Sequence, residues 1–383
     1  MIRDAWFSVG LSAEFPTGEL RHQTIAGTGV VMWRTTDGEV VALDGRCSHK
    51  RFPLWEGRLL DGDVLECPYH GFAYDTGGTC VGIPALKERS DRIPSTSRQR
   101  SFPVVEQDGL IWVWPGDAAQ SGDVRPPRTP ELGTADWEFR DTGDMEVDAN
   151  HRLLLENLFD LTHFYPLHES TIGTYNDASV PMDVERDSVD GNPVLRTIRR
   201  RTDFSFGPMF VDRFGVERGD RIQMHELIGP GLVKLTSAVA PTGRLGTDEE
   251  QGYVLYQTVT PRTDRTHTWR RYTACRTGSR WARDPDAKTL VDAIVEGAPE
   301  VIREDLWAVQ EQQKLIEQYG DEGYREVHIR TDAAVVMLRR ILDAMEVDVE
   351  DLSPAERVRV AVRSQQTRSA SSGADAERAE AST

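Results

Sequence analysis

Apolar residues alternate with polar ones through the first third of the chain, in runs broken by Asp-Gly and Gly-Gly pairs: GVVMWRTTDGEVVALDG, then DGDVLECPYHGFAYDTGG, then DGLIWVW. Alternation sends successive side chains to opposite faces of a strand, and Asp-Gly or Gly-Gly supplies the turn conformation that tight hairpins require. The pattern predicts an all-β unit up to about Trp114. A polar, Pro-rich stretch, PGDAAQSGDVRPPRTPELG, follows from Pro115 and reads as an interdomain connection, giving an expected first domain of residues 1–118. The period then changes. Residues 147–164 carry leucines at helical spacing, strand-like runs extend to about Cys275, and helical patterns cover roughly 298–319 and 332–345. Strands followed by terminal helices predict an α+β second domain, 119–352, built on an antiparallel sheet. Residues 353–383, ending SQQTRSASSGADAERAEAST, are poor in apolar side chains and predict a disordered tail.

At 383 residues the chain can support two domains, each with its own buried core. A net charge of -18 argues against nucleic-acid binding, which needs clustered Lys and Arg against phosphate. The opening MIRDAWFSVG lacks a basic stretch followed by an apolar core, and no window offers about 18 apolar residues in a row. The expectation is a soluble cytoplasmic protein with no membrane contact. Four cysteines occur, Cys47, Cys67, Cys80 and Cys275, and in a reducing compartment such residues bind metal or stay free. Cys80 and Cys275 read as small buried side chains without a role.

The other two cysteines are patterned. Cys47-Ser-His49 is followed, after seventeen residues, by Cys67-Pro-Tyr-His70. A Rieske-type [2Fe–2S] cluster places two Cys on one iron and two His on the other, a demand met by one thiolate and one imidazole from each of two loops. Zinc takes the same donors and is the alternative, although zinc sites usually pair Cys with Cys and His with His at short spacing.

A second group lies in LLLENLFDLTHFYPLHES. Asn157, Asp160 and His163 recur at intervals of three and are expected on one helix face. Pro166 is expected to end that helix, letting His168 swing back from the following loop so that two imidazoles converge. Ferrous sites that bind O2 commonly use two His and one carboxylate, with positions left open. In APEVIREDLWAVQEQQKLIEQY an apolar stripe runs through Ile302, Leu306, Val309 and Ile316, and Asp305 falls within its arc. A core-facing carboxylate is costly unless paired or metal-bound, and Glu304 is the competing candidate. Of the remaining histidines, His22, His151, His225, His267 and His328, only His225 and His267 are candidates to line a pocket.

Through Cys47-Ser-His49 and Cys67-Pro-Tyr-His70-Gly71 the first 115 or so residues resemble the Rieske family. Respiratory members carry a disulfide between the cluster loops at positions that correspond to Phe52 and Tyr69, so the resemblance is to the oxygenase branch. Asp160, His163 and His168 match that branch's Asp-x-x-His-x4-His motif, and Asp305 matches its distant Asp. The blocks IRDAW, CPYHGFAYDTGGTCVGIP, ENLFDLTHFYPLH and REDLWAVQEQQ resemble the group that includes vanillate O-demethylase and dicamba monooxygenase.

This resemblance implies an all-β Rieske domain followed by a helix-grip catalytic domain. It implies a cluster on Cys47, His49, Cys67 and His70, and mononuclear Fe(II) on His163, His168 and Asp305. It further implies a head-to-tail homotrimer in which Asp160 bridges His70, or its companion His49, across the subunit contact to His163; Asp160 and Asn157 are then the candidate catalytic residues. No Gly-x-Gly-x-x-Gly opens a helix after a strand, so electrons are expected from a separate flavin-containing reductase, with or without a ferredoxin. The expected reaction is O2-dependent hydroxylation or O-/N-demethylation of a small aromatic substrate. Ring cis-dihydroxylation, oxidative cyclisation and non-catalytic electron transfer are the alternatives.

Overall fold

The computed structural model describes residues 1–87, 90–320 and 324–346; the expected tail lies outside them. The alternating runs of the first third form antiparallel strands. Thr28–Arg34 pairs with Val40–Asp44, with Trp33 opposite Val41, and the sheet is completed by Arg21–Ile25 and Ser101–Phe102. A second small sheet joins Arg58–Leu60, Val64–Glu66, Ala73–Tyr74 and Cys80–Gly82, and a third joins Phe7–Leu11, Leu110–Val113 and Val104–Gln107. The all-β expectation is met.

The second half is the expected antiparallel sheet with helices packed on it. Among the described residues its strand order is Trp137–Asp141, His267–Arg276, Gln251–Pro261, Leu232–Pro241, Arg218–Ile228, Asn192–Ser205, Met182–Val189, with Met145–Val147 also pairing to His267–Arg276. The helix Ala298–Tyr319 falls where its spacing predicts, entered through Gly297 and closed by Gly320 at φ 63°. It buries Ile302, Asp305, Val309 and Gln313, whereas Ile316, counted in the apolar stripe, is exposed. The last described helix, Ala333–Glu346, buries Ala334, Val335, Leu338, Ile341 and Leu342.

Two local expectations are corrected. The Leu-rich helix spans only His151–Phe159 and stops at Asp160, whose backbone leaves the helical region at φ -93°, ψ 88°. The Asp160 carboxylate accepts from the backbone N–H of Thr162 at 3.0 Å and from its hydroxyl at 2.6 Å, the local bonding by which Asp competes with helix continuation. The chain resumes as a tight turn, Leu161–His163, and a short helix, Phe164–His168. Pro166 therefore sits inside that helix's first turn, where its missing N–H has no intrahelical acceptor to lose, and His168 lies on the helix rather than beyond it.

The expectation of two separate cores is corrected as well. Phe7, Val30 and Ile111 from the β-rich half share one apolar cluster with Leu154, Leu155, Leu195 and Trp269. Trp6, Trp112 and Trp114 pack with Tyr256 and Tyr272. Across the same seam the Arg270 guanidinium pairs with Glu14 at 2.8 Å, and within its own sheet with Asp141 at 2.9 Å. Burial of apolar area holds the two halves as one body, and the ion pairs fix their register. No helix among the described residues is long and apolar enough to cross a membrane.

Three buried histidines give this fold an acid limit. Burial pushes His151 and His225 down to about 3 and His267 down to about 4. Neutral His267 donates from Nδ1 to the Ala149 carbonyl at 2.6 Å, while neither ring nitrogen of His151 has a hydrogen-bond partner. In the unfolded chain each would titrate near 6.5, so below that pH the unfolded state takes up protons that the folded state refuses. Stability then rises with pH between the two values and is lost as pH falls, at up to about 1.4 kcal/mol per pH unit for each histidine. Urea midpoints measured at pH 7, 6 and 5 should fall at an accelerating rate; a flat profile would contradict the burial of these groups as neutral imidazoles.

Candidate metal centres

The two Cys/His loops leave different sheets, the first after Val40–Asp44 and the second between Val64–Glu66 and Ala73–Tyr74, and repeat one backbone device. The N–H of Cys47 donates to the carbonyl of Phe52 at 2.9 Å and its carbonyl accepts from Arg51; the N–H of Cys67 donates to the carbonyl of Phe72 at 2.8 Å and its carbonyl accepts from Gly71. The residue four beyond each cysteine turns through positive φ, 57° at Arg51 and 70° at Gly71. At Gly71 a Cβ would also meet the Pro84 ring at 2.5 Å, so a side chain there is excluded twice over.

Both loops thus bury the thiol and expose the imidazole. Cys47 and Cys67 are buried and their thiols are close enough to interact, with burial pushing Cys67 up. His49 and His70 are exposed with ring centroids 4.5 Å apart. Two thiols facing inward and two imidazoles facing solvent fit a [2Fe–2S] cluster with one Cys-ligated and one His-ligated iron. Phe52 and Tyr69 meet at 5.5 Å between centroids, so an aromatic contact ties the loops where respiratory relatives were expected to differ by a disulfide. One neighbour that sequence reasoning missed is Tyr74, whose hydroxyl lies 3.3 Å from Cys47 Sγ and 2.8 Å from Ser48 Oγ. Nothing in the spacing of YHGFAYD distinguishes it.

The second centre forms where the short helix Phe164–His168 meets Ala298–Tyr319. One donor atom each from His163, His168 and Asp305 lies within 4.8 Å of the others. His168 Nε2 is 3.2 Å and His163 Nε2 3.8 Å from Asp305 Oδ1. The far nitrogen of each ring is already engaged: His163 Nδ1 donates to the Asp160 carbonyl, and His168 Nδ1 donates to Glu304 Oε2 at 2.6 Å. That bonding fixes the tautomers so that both Nε2 lone pairs face Asp305. Asp305 Oδ1 is buried and has no hydrogen-bond partner, and a buried anionic oxygen without a donor is the vacancy that a cation fills. The residues fit a mononuclear metal of the two-His, one-carboxylate type.

The competition between neighbouring carboxylates is resolved by direction. Asp305 faces the two Nε2 atoms, and Glu304 grips the back of His168 while accepting from the hydroxyls of Ser170 and Thr171. Burial disfavours a charged His168, and Asp305 and Glu304 outweigh it, holding its pKa up; His163 is pushed down, by burial first. Sequence reasoning named Glu304 only as a rival ligand; its adjacency to Asp305 was the available signal.

Asn157, Asp160 and His163 do share a side, but through a broken helix. All three line a surface cavity of about 330 Å³, and the Asn157 side-chain oxygen is buried with no hydrogen-bond partner. The expected carboxylate contact from Asp160 to His163 is corrected: within the chain its backbone carbonyl serves His163, and the carboxylate serves Thr162. On the opposite side a smaller cavity of about 100 Å³ is walled by Phe164, Phe210, Phe214 and Leu255; neither His225 nor His267 lines it.

A sulfur-and-imidazole centre on one β unit and a two-His, one-carboxylate pocket on the other define a two-centre iron redox protein. The comparisons with known proteins agree. The Rieske [2Fe-2S] domain model matches residues 5–103, and the vanillate O-demethylase oxygenase C-terminal domain model matches residues 147–348. The toluene-4-sulfonate monooxygenase system iron-sulfur subunit TsaM1 of Comamonas testosteroni is 31% identical over 348 residues, covering 90% of this chain and 96% of that one. A vanillate O-demethylase oxygenase subunit from a Pseudomonas species is 29% identical, covering 84% and 95%. The crystal structure of dicamba monooxygenase bound to dicamba superposes with a TM-score of 0.76 at 26% identity, covering 90% of this chain and 98% of that chain.

The chain belongs to the Rieske non-haem iron oxygenases, as an oxygenase component, and its first half is a Rieske [2Fe–2S] domain. Relatives are named as subunits or components of oxygenase systems, so the family works with a separate electron donor.

Glu304 gives the sharpest local test. Glu304→Gln keeps the shape but removes the charge behind His168, and such substitutions cost about 10–100-fold in metal affinity. Anaerobic Fe(II) titration should show that weakening while the cluster's visible absorption is unchanged; unaltered affinity would show that Glu304 does not orient the ligand.

Proposed function

We propose that this oxygenase hydroxylates or O-/N-demethylates a small aromatic substrate, with its cluster on Cys47, His49, Cys67 and His70 and its catalytic iron on His163, His168 and Asp305. The observation that carries the reading is the partnerless buried Oδ1 of Asp305 between two oriented imidazoles. Demethylation is favoured by relatives named for it, vanillate O-demethylase and dicamba O-demethylase. When bound, the iron activates O2 with electrons that reach it from a cluster, and the protein supplies position and electrostatics.

The chain's own groups have separable tasks. Asp305 contributes the compensating negative charge, and Glu304 and the Asp160 carbonyl hold the two rings. Phe164, whose ring contacts both histidine rings, walls the site from water. Electrons come from a flavin-containing reductase, directly or through a ferredoxin, in the cytoplasm where NAD(P)H is available. The domain boundary falls near residue 118.

The assembly is a homotrimer in which the exposed His49, Tyr69 and His70 of one copy dock at the 330 Å³ cavity of the next, beside Asn157 and Asp160. Exposed Trp307, Leu315, Tyr324 and Val327 on and after the helix Ala298–Tyr319 supply the apolar contact surface that such docking needs.

Asp160→Asn keeps an oxygen that can cap Thr162 but removes the charge at the docking cavity. With both iron centres retained by metal analysis, turnover with a surrogate reductase should fall by about 100-fold, the upper end for outer ligand partners; wild-type turnover would remove Asp160 from the electron path. Under 18O2 a hydroxylated product should carry one labelled oxygen, and a demethylation should release the single label in formaldehyde and leave none in the phenol or amine, where a cis-dihydroxylating enzyme would place two in its product.

A further inference from the structure

The broken segment that carries the two histidines rests on a row of polar side chains. Arg199 and Arg201 from Asn192–Ser205, and Arg221, Gln223 and His225 from Arg218–Ile228, are all buried. Register sets Arg199 opposite Gln223, Arg201 opposite Arg221 and Thr197 opposite His225, and alternation along each strand puts these side chains on one face of the sheet. Arg201 pairs with Asp177 and donates to Gln223 Oε1 at 3.3 Å, and the Gln223 amide nitrogen donates to His225 Nε2 at 2.9 Å.

Arg199 leaves this row for the iron site. Its Nη2 donates to the Leu161 carbonyl at 2.9 Å, and its Cζ lies 5.6 Å from the centre of the Phe164 ring. Leu161 opens the turn that ends at His163. Phe164 follows that turn and packs against both histidines, its ring centroid 5.2 Å from that of His163 and 5.7 Å from that of His168. One guanidinium therefore grips the backbone two residues before one proposed ligand and covers the ring packed on both.

The rest of the Arg199 side chain is poorly satisfied. Nε and Nη1 are buried without a hydrogen-bond partner, and Asp177, 3.8 Å from Nη1, is shared with Arg201. Burial, and then Arg201, pushes Arg199 down to about 10 against the pull of Asp177 and Asp160, so it stays charged at neutral pH. Packing alone would be served as well by an apolar side chain of similar length. The segment it holds has a need for direction. The helix stops at Asp160, and the turn's own backbone aims His163, whose Nδ1 donates to the Asp160 carbonyl. A shift of that turn swings His163 Nε2 away from Asp305, and a metal ligand keeps its direction only when the groups behind it are themselves locked.

We propose that Arg199 is a positioning residue for the mononuclear iron: by holding the Leu161 carbonyl and the Phe164 ring together, it fixes the direction in which His163 faces Asp305. A planar guanidinium stacks and donates in fixed directions, which an ammonium does not match. The assignment rests on the reading of His163, His168 and Asp305 as iron ligands and adds a sheet residue to their support.

Wild type, Arg199→Met, Arg199→Lys and Arg201→Met, compared as anaerobic holoproteins, test it through Fe(II) titration and electron paramagnetic resonance of the ferrous centre exposed to nitric oxide, whose line shape reports the symmetry of the ligand set. Arg199→Met should weaken iron about tenfold, the lower end for groups that orient ligands, and alter the line shape. Arg199→Lys should fall between that variant and wild type. Arg201→Met removes the neighbouring buried guanidinium on the same sheet face and is the packing control, with affinity and line shape expected at wild-type values. An unaltered line shape in Arg199→Met, or an equal alteration in Arg201→Met, would overturn the proposal. Should Arg199→Met not fold, Arg199→Lys against Arg201→Lys makes the same comparison, and a line shape unaltered in the first or equally altered in the second overturns it. Wild-type protein that takes up no iron beyond the cluster's pair would defeat the oxygenase reading and this proposal together, whereas iron held identically in wild type and Arg199→Met would defeat this proposal alone.

Discussion

A carboxylate oxygen buried without a donor is the constraint around which the second half of the chain is organised. Asp305 can occupy that position only because the helix carrying it is held on several sides, by Ile302 and Val309 in the main core and by Gln313, which accepts from the backbone of Asn150 at 2.9 Å. Consecutive helical residues point about 100° apart. Asp305 therefore looks into the space between two Nε2 atoms while Glu304, one position back, reaches round to Nδ1 of His168. One helix supplies both the proposed iron ligand and the group that aims another, and a bound cation supplies the partner that the buried Asp305 Oδ1 lacks.

The cluster loops answer a different requirement. Each must bury a thiol and present an imidazole to solvent over a span of three or four residues, and both do it with the same pair of backbone hydrogen bonds and a positive-φ turn. Their rigidity comes from the apolar cluster beneath, where Val31, Trp33, Leu43, Leu54 and Tyr74 surround the two cysteines. Because the β-rich half shares its core with the sheet domain, these loops project from a rigid base. In the proposed trimer that base lets one copy's exposed His49 and His70 be delivered to a fixed cavity on the next.

Much of this was legible in the residues. Asp-Gly hairpins, mixed Cys/His loops and the period of Ala298–Tyr319 depend on local chemistry, and the sequence order of strands then helices carried the α+β class. The breaks near the iron site were harder. Asp160 leaves the helix because its side chain captures Thr162, a choice that spacing alone does not reveal, and Pro166 is tolerated because the break upstream makes it a first-turn residue. The fused core escaped notice because apolar alternation says that a strand face is covered, not by which part of the chain.

The central claim is that His163, His168 and Asp305 together hold one ion. It is tested most directly by iron stoichiometry, after anaerobic reconstitution, of the wild-type protein and of Asp305→Asn, with the cluster monitored in each by electron paramagnetic resonance of the reduced state. The account predicts one iron per chain beyond the cluster's pair in the wild type, and the pair alone, with an undisturbed cluster signal, in Asp305→Asn. Equal iron content in the two proteins would contradict it.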